Sequence, residues 1–279
     1  MTSKQSSLFN ANLRLRLLSA LVLIPLVLGI VYAGGALYML LVASAMAIAM
    51  TEWLRLTAPA LSLRGKVWAY GVMAALVLIA VGKGMGQAVL LSLLATLVLG
   101  YYAGRTEGFG PAWKSRAAWV AAGVPYVLWS GLALIFLRNN AQHGLVFITY
   151  LLLVVWGTDT GAYIAGRLIG GPKLCPKISP KKTWAGLLGG MASAALLGYA
   201  GLRGFDLQPT AGAALVAAAL AVIAQAGDFF ESAVKRRAGA KDSGSLIPGH
   251  GGLLDRVDGL FFAGIALAVL VTFCGVSWL

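Results

Sequence analysis

The sequence predicts an all-α, polytopic integral membrane protein. Of its 279 residues, 59% are hydrophobic and only 11% are charged, and the mean hydropathy is +0.85. Water-soluble chains carry about a quarter charged residues. Apolar runs of roughly 20 residues, long enough to cross ~30 Å of hydrocarbon, recur from end to end. Because the alternation typical of an outer-membrane barrel is absent, we expect the spans to be helices.

About nine transmembrane helices are predicted in chain order. The first follows Arg14 and Arg16 and ends near Tyr32. We interpret it as a retained span rather than a cleaved signal peptide, because many further spans follow. The others are expected at 35–54, 67–82, 86–103, 117–137, 144–168, 184–202, 210–230 and 258–276. Residues 1–137 would form an N-terminal bundle and residues 138–279 a catalytic region with loops 167–183 and 231–257, within one structural unit.

The basic residues predict an orientation with the N-terminus in the cytoplasm and the C-terminus outside. With that orientation, all 22 lysines and arginines except Lys83, Arg138 and Arg203 fall in cytoplasmic segments. Positive loops resist translocation and are retained beside anionic lipid. The net charge of +13 is therefore explained by topology, and we expect no nucleic-acid partner. Loops 167–183 and 231–257 both face the cytoplasm in this arrangement.

Five of the nine acidic residues fall in one stretch between two apolar runs: Asp228, Glu231, Asp242, Asp255 and Asp258. Asp228 ends an apolar helix, where an ionised carboxylate is costly unless it is paired or metal-bound. The alternative is a helix-end aspartate that faces water. Asp255 and Asp258 share the first turn of the last span, where helix capping is the alternative role.

These carboxylates predict a magnesium site. Two acids from separate helices, without a set of Cys and His ligands, favour Mg²⁺ over Zn²⁺. One of the two acids would be Asp228 and the other Asp255 or Asp258, and we leave open whether there are two divalent cations or one with a monovalent cation. Asp159, inside another apolar span, is a further metal ligand, an orienting partner for a lysine, or part of an ion pathway.

Two glycine-containing basic segments are predicted to bind phosphate. In the first, Gly251 and Gly252 follow His250 and would let backbone N–H groups approach a ligand. Nearby cations would balance phosphate charge, with topogenic charge as the alternative: Lys235, Arg236, Arg237, Lys241 and Arg256. The second segment lacks a Walker A pattern but combines hydroxyl and ammonium groups before a helix start, with headgroup anchoring as the alternative. Its candidates are Lys173, Lys177, Ser179, Lys181, Lys182 and Thr183.

At these residues the sequence resembles the phosphatidate cytidylyltransferase (CDP-diacylglycerol synthase) family. Residues from Ser232 to Asp258 match the family's pattern S-x-x-K-R, K-D, P-G-H-G-G and D-R-x-D at the family's spacing. The segments D-T-G-A-Y from Asp159 and K-I-S-P-K-K-T-W from Lys177 also agree. The first five or six spans match only in hydrophobic character. One departure is Ala185, where the family often carries an acid, so we assign no catalytic acid there.

The resemblance implies transfer of CMP from CTP to phosphatidic acid, which forms CDP-diacylglycerol and pyrophosphate for phospholipid biosynthesis. It implies a bacterial plasma (inner) membrane protein with its active site facing the cytoplasm, in contact with membrane lipid. A homodimer is left open. By the resemblance, Asp228 and Asp255 bind the metal with Ser232 close by. The catalytic and phosphate-binding cations would be Lys235, Arg236, Lys241, Arg256 and the lysines of 173–182, while His250 shapes the loop or contacts phosphate.

Two other functions are left open by the residues themselves. A cation-coupled transporter would use Asp159 and Asp228 as ion ligands, but it predicts acids midway along the spans rather than at their cytoplasmic ends. Another membrane phosphotransferase that uses a CTP- or CDP-linked substrate is the second alternative. The D-G-x-x-A-R segment expected of a CDP-alcohol phosphotransferase is absent.

Overall fold

The structure, a computed structural model, describes residues 19–106, 113–246 and 251–275. In these ranges the chain forms nine α-helices and one two-stranded β-hairpin. The helices are α1 (Ser19–Ala33), α2 (Gly35–Thr57), α3 (Leu63–Lys83), α4 (Met85–Thr106), α5 (Trp113–Arg138), α6 (Gly144–Leu168), α7 (Trp184–Arg203), α8 (Ala211–Arg237) and α9 (Leu254–Cys274). The hairpin joins β1 (Lys173–Cys175) to β2 (Ser179–Thr183), between α6 and α7. The predicted site residue His250 lies outside the described residues.

Seven of these helices are long and apolar enough to cross a membrane: α2, α3, α5, α6, α7, α8 and α9. Helix α1 is shorter, and the apolar part of α4 is confined to Gly86–Tyr102. Large apolar side chains on the outside of the bundle, such as Leu78 and Leu97, are about 70% exposed, as expected for a surface that contacts lipid. The predicted all-α polytopic membrane fold is confirmed. The number of crossings and their orientation stay predictions.

Two predicted loops differ from the observed ones. The loop expected at 231–257 is shorter, because α8 continues to Arg237 and α9 begins at Leu254. The extension follows from Lys235, Arg236 and Arg237, which are good helix formers and interact favourably with the negative end of the helix dipole. The loop expected at 167–183 contains the β-hairpin, in which Cys175 pairs with Ser179.

Small residues bring α6 and α7 into close contact. A Cβ atom added to Gly161 would lie 2.5 Å from the carbonyl oxygen of Gly189, and one added to Gly190 would lie 2.9 Å from that of Thr158. Such spacing of small residues is how membrane helices approach closely without a water-driven hydrophobic effect. The backbone N–H of Trp184, at the start of α7, donates to the carbonyl of Pro172 at 3.1 Å and so ties the hairpin to this helix pair.

Helices from both halves of the chain share one hydrophobic core. Trp53 of α2 stacks on Phe230 of α8, with ring centroids 6.0 Å apart, and its indole N–H donates to the carbonyl of Trp119 in α5 at 2.8 Å. The rings of Tyr126 in α5 and Phe261 in α9 also pack together, with centroids 5.7 Å apart. Aromatic packing therefore holds together the ends of α2, α5, α8 and α9 that the sequence predicts to be cytoplasmic.

Candidate active site

A polar cavity of about 520 Å³ opens between α6, the β-hairpin, α7 and α8. The polar and charged side chains that line it are Asp159, Tyr163, Arg167, Lys181, Lys182, Thr183, Gln225 and Asp228. Two carboxylates and three cations thus face one concave space. A cavity with convergent charges of both signs suits a ligand that combines phosphate groups with a metal ion.

Asp228 is held in an ion pair at the edge of this cavity. Its Oδ2 pairs with Nζ of Lys182, whose ammonium also lies 4.6 Å from the centre of the Phe229 ring. Ser232 follows one helical turn later, and its Oγ lies 3.4 Å from Asp228 Oδ1. The Asp228 side chain keeps 32% of its surface exposed. The carboxylate is therefore paired, as its position at a membrane boundary requires, yet it remains accessible.

Two further carboxylates interact with this pair. Asp258, in the first turns of α9, interacts electrostatically with Asp228, Asp159 and Lys182. Asp159 interacts in the same way with Asp228, Lys182 and Arg256. Three acids from α6, α8 and α9 thus lie close enough to interact electrostatically, and like charges in one place are stabilised by a bound cation.

This donor set fits magnesium. In the described ranges, no three His, Cys, Asp or Glu side chains are grouped so that they could hold a metal ion by themselves. Mg²⁺ does not need such a group, because it keeps several waters and binds through one or two carboxylates together with substrate phosphates. Asp228, with Asp159 and Asp258 nearby, supplies such carboxylates beside the open cavity. The chemistry of these residues fits magnesium. The magnesium site itself stays a prediction.

Asp255 belongs to a different cluster, in which protein groups donate to both of its carboxylate oxygens. Its Oδ1 accepts from Lys235 Nζ at 2.5 Å. Its Oδ2 accepts from the backbone N–H groups of Ser243 and Gly252, both at 2.9 Å, and lies 3.0 Å from Ser243 Oγ. Lys235 also pairs with buried Glu231 at 2.5 Å. A carboxylate has about four acceptor positions, and three of those of Asp255 are filled by Lys235 and the two backbone N–H groups, since the single Ser243 hydroxyl proton goes to the nearer Glu52.

The remaining predicted residues occupy varied positions. Thr183 lines the cavity and also begins α7, where its Oγ1 accepts from the backbone N–H of Gly186 at 3.0 Å. Arg236 is exposed and donates to the carbonyl of Ala240 at 3.3 Å. Ser179 is half-buried. The other predicted cations outside the cavity lining are exposed: Lys173, Lys177, Lys241 and Arg256. Their roles in binding substrate stay predictions.

The two described glycines of the P-G-H-G-G segment contact carboxylates of the protein. Gly251 has a φ of +87°, and a Cβ atom on it would lie 3.0 Å from Asp255 Oδ2. A Cβ atom on Gly252 would collide with Ser243 Oγ and would lie 2.6 Å from Oε2 of Glu52. The sequence analysis interpreted these glycines as positions where a ligand comes close to the backbone. In the structure, the groups that come close are the side chains of Asp255, Ser243 and Glu52. The predicted contact of Gly251 and Gly252 with substrate is untested.

Sequence reasoning missed four residues. Tyr163, Arg167 and Gln225 line the cavity, and Glu52 of α2 reaches the loop before α9. Glu52 carried the same signal as Asp228, because both are acids near the predicted cytoplasmic end of an apolar span. Arg167 was counted only as a topological charge, and its place in the cavity depends on how α6 continues past Asp159.

Comparison with known proteins shows the family of the chain. A family model described as "Cytidylyltransferase family" matches residues 14–274. The chain belongs to this family. It is 39% identical over 262 residues to a protein of Brucella suis biovar 1 named phosphatidate cytidylyltransferase, with 92% of each chain covered. Proteins of the same name from Staphylococcus aureus strain COL and Staphylococcus saprophyticus are 34% and 33% identical, and each match covers 93% of this chain and 99% of the relative.

Proposed function

We propose that this chain is a phosphatidate cytidylyltransferase, which transfers CMP from CTP to phosphatidic acid. The observation that carries the proposal is the convergence of three separate segments on one cavity. Asp159 comes from α6, Lys181 and Lys182 come from the hairpin, and Asp228 comes from α8. The relatives that match almost the whole chain carry the name of this activity.

The reaction needs positioning and charge neutralisation rather than a protein nucleophile. A phosphate oxygen of phosphatidic acid attacks the α-phosphorus of CTP. A new P–O bond forms, the bond between the α-phosphorus and the bridging oxygen breaks, and pyrophosphate leaves. Arg167, Lys181 and Lys182 line the cavity and would neutralise the negative charge that moves onto the leaving group.

We further propose that Asp228 holds magnesium, with Asp159 and Asp258 as the additional acids. A bound cation would supply charge neutralisation at the triphosphate and polarise the α-phosphoryl group. In the present arrangement Lys182 balances the charge of Asp228. Two divalent cations, or one with a monovalent cation, are compatible with three carboxylates. Asp255 and Lys235 would support the site from the adjacent loop.

The lipid substrate is proposed to approach from the membrane side of α6 and α7. Beside the cavity, Tyr163 and Trp184 are 64% and 52% exposed, and Leu168 is 80% exposed. These apolar side chains sit at the predicted cytoplasmic boundary of the bilayer, where aromatic residues are enriched. The acyl chains would stay in lipid while the phosphate enters the cavity. The reaction would then take place at the cytoplasmic face of the bacterial inner membrane.

The test is an assay of the purified protein with CTP, phosphatidic acid and Mg²⁺ that follows pyrophosphate and CDP-diacylglycerol together. We expect activity in the unmodified chain and a loss of about 100-fold or more in kcat for Asp228→Asn, because one charge at the reacting phosphates is removed. Asp206→Asn is the matched control, since Asp206 lies between α7 and α8 with a φ of 57°, which asparagine also adopts.

An unmodified protein that forms no CDP-diacylglycerol would refute the proposed activity. Equal rates for Asp228→Asn and Asp206→Asn would refute the site while leaving the activity intact.

A further inference from the structure

Glu52, in the last two turns of α2, makes hydrogen bonds to residues about 200 positions later in the chain. Its Oε1 accepts from the backbone N–H of Leu253 at 2.9 Å. Its Oε2 accepts from the backbone N–H of Leu254 at 2.8 Å and from Ser243 Oγ at 2.9 Å. The residue is only 6% exposed. A buried carboxylate is thus satisfied by three donors from one loop and the start of one helix.

The backbone of α2 is held by close packing at this point. The next residue, Trp53, is 1% exposed and is held between α5 and α8 by its hydrogen bond to Trp119 and its stacking on Phe230. A Cβ atom on Gly123 of α5 would collide with the Trp53 ring, so the two helices are in close contact here. Glu52 therefore projects from a fixed point in the core toward the loop.

The loop before α9, described at residues 238–246 and 251–253, is shaped around this carboxylate. A Cβ atom on Gly244 would lie 2.6 Å from Glu52 Oε1, and one on Gly252 would lie 2.6 Å from Glu52 Oε2. On another side the loop borders a cavity of about 300 Å³ lined by Thr51, Arg55 and Leu246. Because one side of the loop faces this cavity, the loop is not enclosed by packing alone. The hydrogen bonds to Glu52 therefore fix it against α2.

Glu52 is linked to Asp255 through Ser243. The Ser243 hydroxyl lies 2.9 Å from Glu52 Oε2 and 3.0 Å from Asp255 Oδ2, and its backbone N–H donates to Asp255. Asp255 in turn pairs with Lys235. Displacement of the loop would move the acceptor that holds the Lys235 ammonium and the start of α9, which carries Arg256 and Asp258.

We propose that Glu52 is a positioning residue of the transferase, which fixes the loop before α9 so that Asp255, Arg256 and Asp258 keep their places beside α8. The inference rests on the proposed function, because it assigns those residues to the transferase site. Glu52 itself lies away from the cavity that contains Asp228 and does not act on the substrate. The sequence analysis predicted the N-terminal half of the chain as a helical bundle and named no site residue in it. Through Glu52, this half helps to position the active-site residues.

The chemistry explains why a carboxylate is needed at this position. All three of its partners donate hydrogen bonds, and an ionised carboxylate only accepts. Two of the donors are backbone N–H groups at the start of α9, where a negative charge is stabilised by the helix dipole. In Glu52→Gln, the amide N–H₂ would face at least one of these donors, so that one buried hydrogen bond is lost and one N–H is left unsatisfied.

The experiment compares Glu52→Gln with Tyr38→Phe in the full-length protein. Tyr38 is on the same helix, is 3% exposed and donates to the carbonyl of Leu134 at 3.2 Å, so its variant also removes a buried contact between helices, far from the loop. We expect Glu52→Gln to lower kcat about tenfold or more and to change KM for CTP less than about threefold, since the site is misaligned rather than removed. Tyr38→Phe should stay within about twofold in both constants.

Hydrogen exchange supplies a readout that is independent of activity. The amides of Leu253 and Leu254 should exchange faster in Glu52→Gln than in Tyr38→Phe, because they lose their acceptor. Ser243→Ala, which keeps Glu52, should lower kcat less than Glu52→Gln and serves as the second variant if the first does not fold. Each rate is divided by the fraction of folded protein, which is determined from thermal melting in detergent.

Three results would overturn the inference. The first is a kcat for Glu52→Gln, per folded molecule, equal to that of Tyr38→Phe. The second is unchanged exchange at Leu253 and Leu254. The third is a large rise in KM for CTP with kcat unchanged, which would make Glu52 a binding determinant instead. If the unmodified chain makes no CDP-diacylglycerol, the proposed function fails separately, and faster exchange would still show that Glu52 fixes the loop.

Discussion

Two lysine–aspartate pairs involve α8, one with the hairpin and one with α9, and they differ in exposure. In the Lys182–Asp228 pair the side chains keep 18% and 32% of their surface, and the pair borders an open cavity. In the Lys235–Asp255 pair they keep 12% and 5%, and Asp255 is surrounded by donors from the loop before α9. The same two residue types therefore form one pair that can exchange partners and one that holds the backbone.

The difference follows from where each acid lies on its helix. Asp228 is inside α8, where the helix satisfies its own backbone N–H groups, so its carboxylate is free to face a ligand. Asp255 is in the first turn of α9, where unpaired N–H groups and a preceding glycine-rich loop surround it. An acid at a helix start is drawn into capping, whereas an acid in the helix interior must find a partner elsewhere.

The largest effect that would break this comparison is on stability. Asp255→Asn removes one charge from a buried pair, leaving Lys235 with Glu231 and weakening the loop, and should lower the free energy of unfolding by roughly 3 kcal/mol. Asp228→Asn should lower it by less than about 1 kcal/mol, because that pair is partly solvated. Reversible unfolding in detergent micelles measures both. Equal losses would show that the two pairs have the same structural role.

The second effect sharpens the comparison on the catalytic side. Lys182→Met should lower kcat about 100-fold, since it removes a cation from the cavity, while the melting temperature changes little. Lys177→Met is the comparison and should lower kcat less, because Lys177 is an exposed lysine between β1 and β2 that does not line the cavity. Initial rates with saturating CTP test the difference. A loss in Lys177→Met as large as that in Lys182→Met would mean that the hairpin acts through its overall charge.

Local sequence signals predicted the open pair but only part of the closed one. Asp159 and Asp228 were predicted because charges are rare in apolar runs, and Lys182 was predicted because hydroxyl and ammonium groups come together before a helix start. Their meeting in one cavity needed only the assumption that cytoplasmic helix ends lie together, and the structure brings these three residues to the same space. The family's motif pattern gave the same residues.

The closed pair depended on contacts that no local pattern encodes. Ser243 and Glu52 are separated by 191 positions, and the length of α8 beyond Asp228 decides where Lys235 lies. The glycines near Asp255 were interpreted as room for a ligand, but their close neighbours are carboxylates of the protein. Glycine composition indicates that something approaches the backbone closely; it does not say whether that is a substrate or another helix.

The smallest effect separates capping from catalysis at a residue that does both. Thr183→Ala removes the N-cap of α7 and should lower the free energy of unfolding by about 1 kcal/mol. Thr210→Ala removes the equivalent cap of α8 at the other end of the bundle, where Thr210 accepts from the N–H of Gly212 at 3.1 Å, and should cost a similar amount. Because Thr183 also lines the cavity beside Lys182, only its variant should lower kcat, by about threefold to tenfold. Equal activity in the two variants at equal stability would limit Thr183 to starting α7, and the phosphate-binding surface of the hairpin would then consist of its lysines.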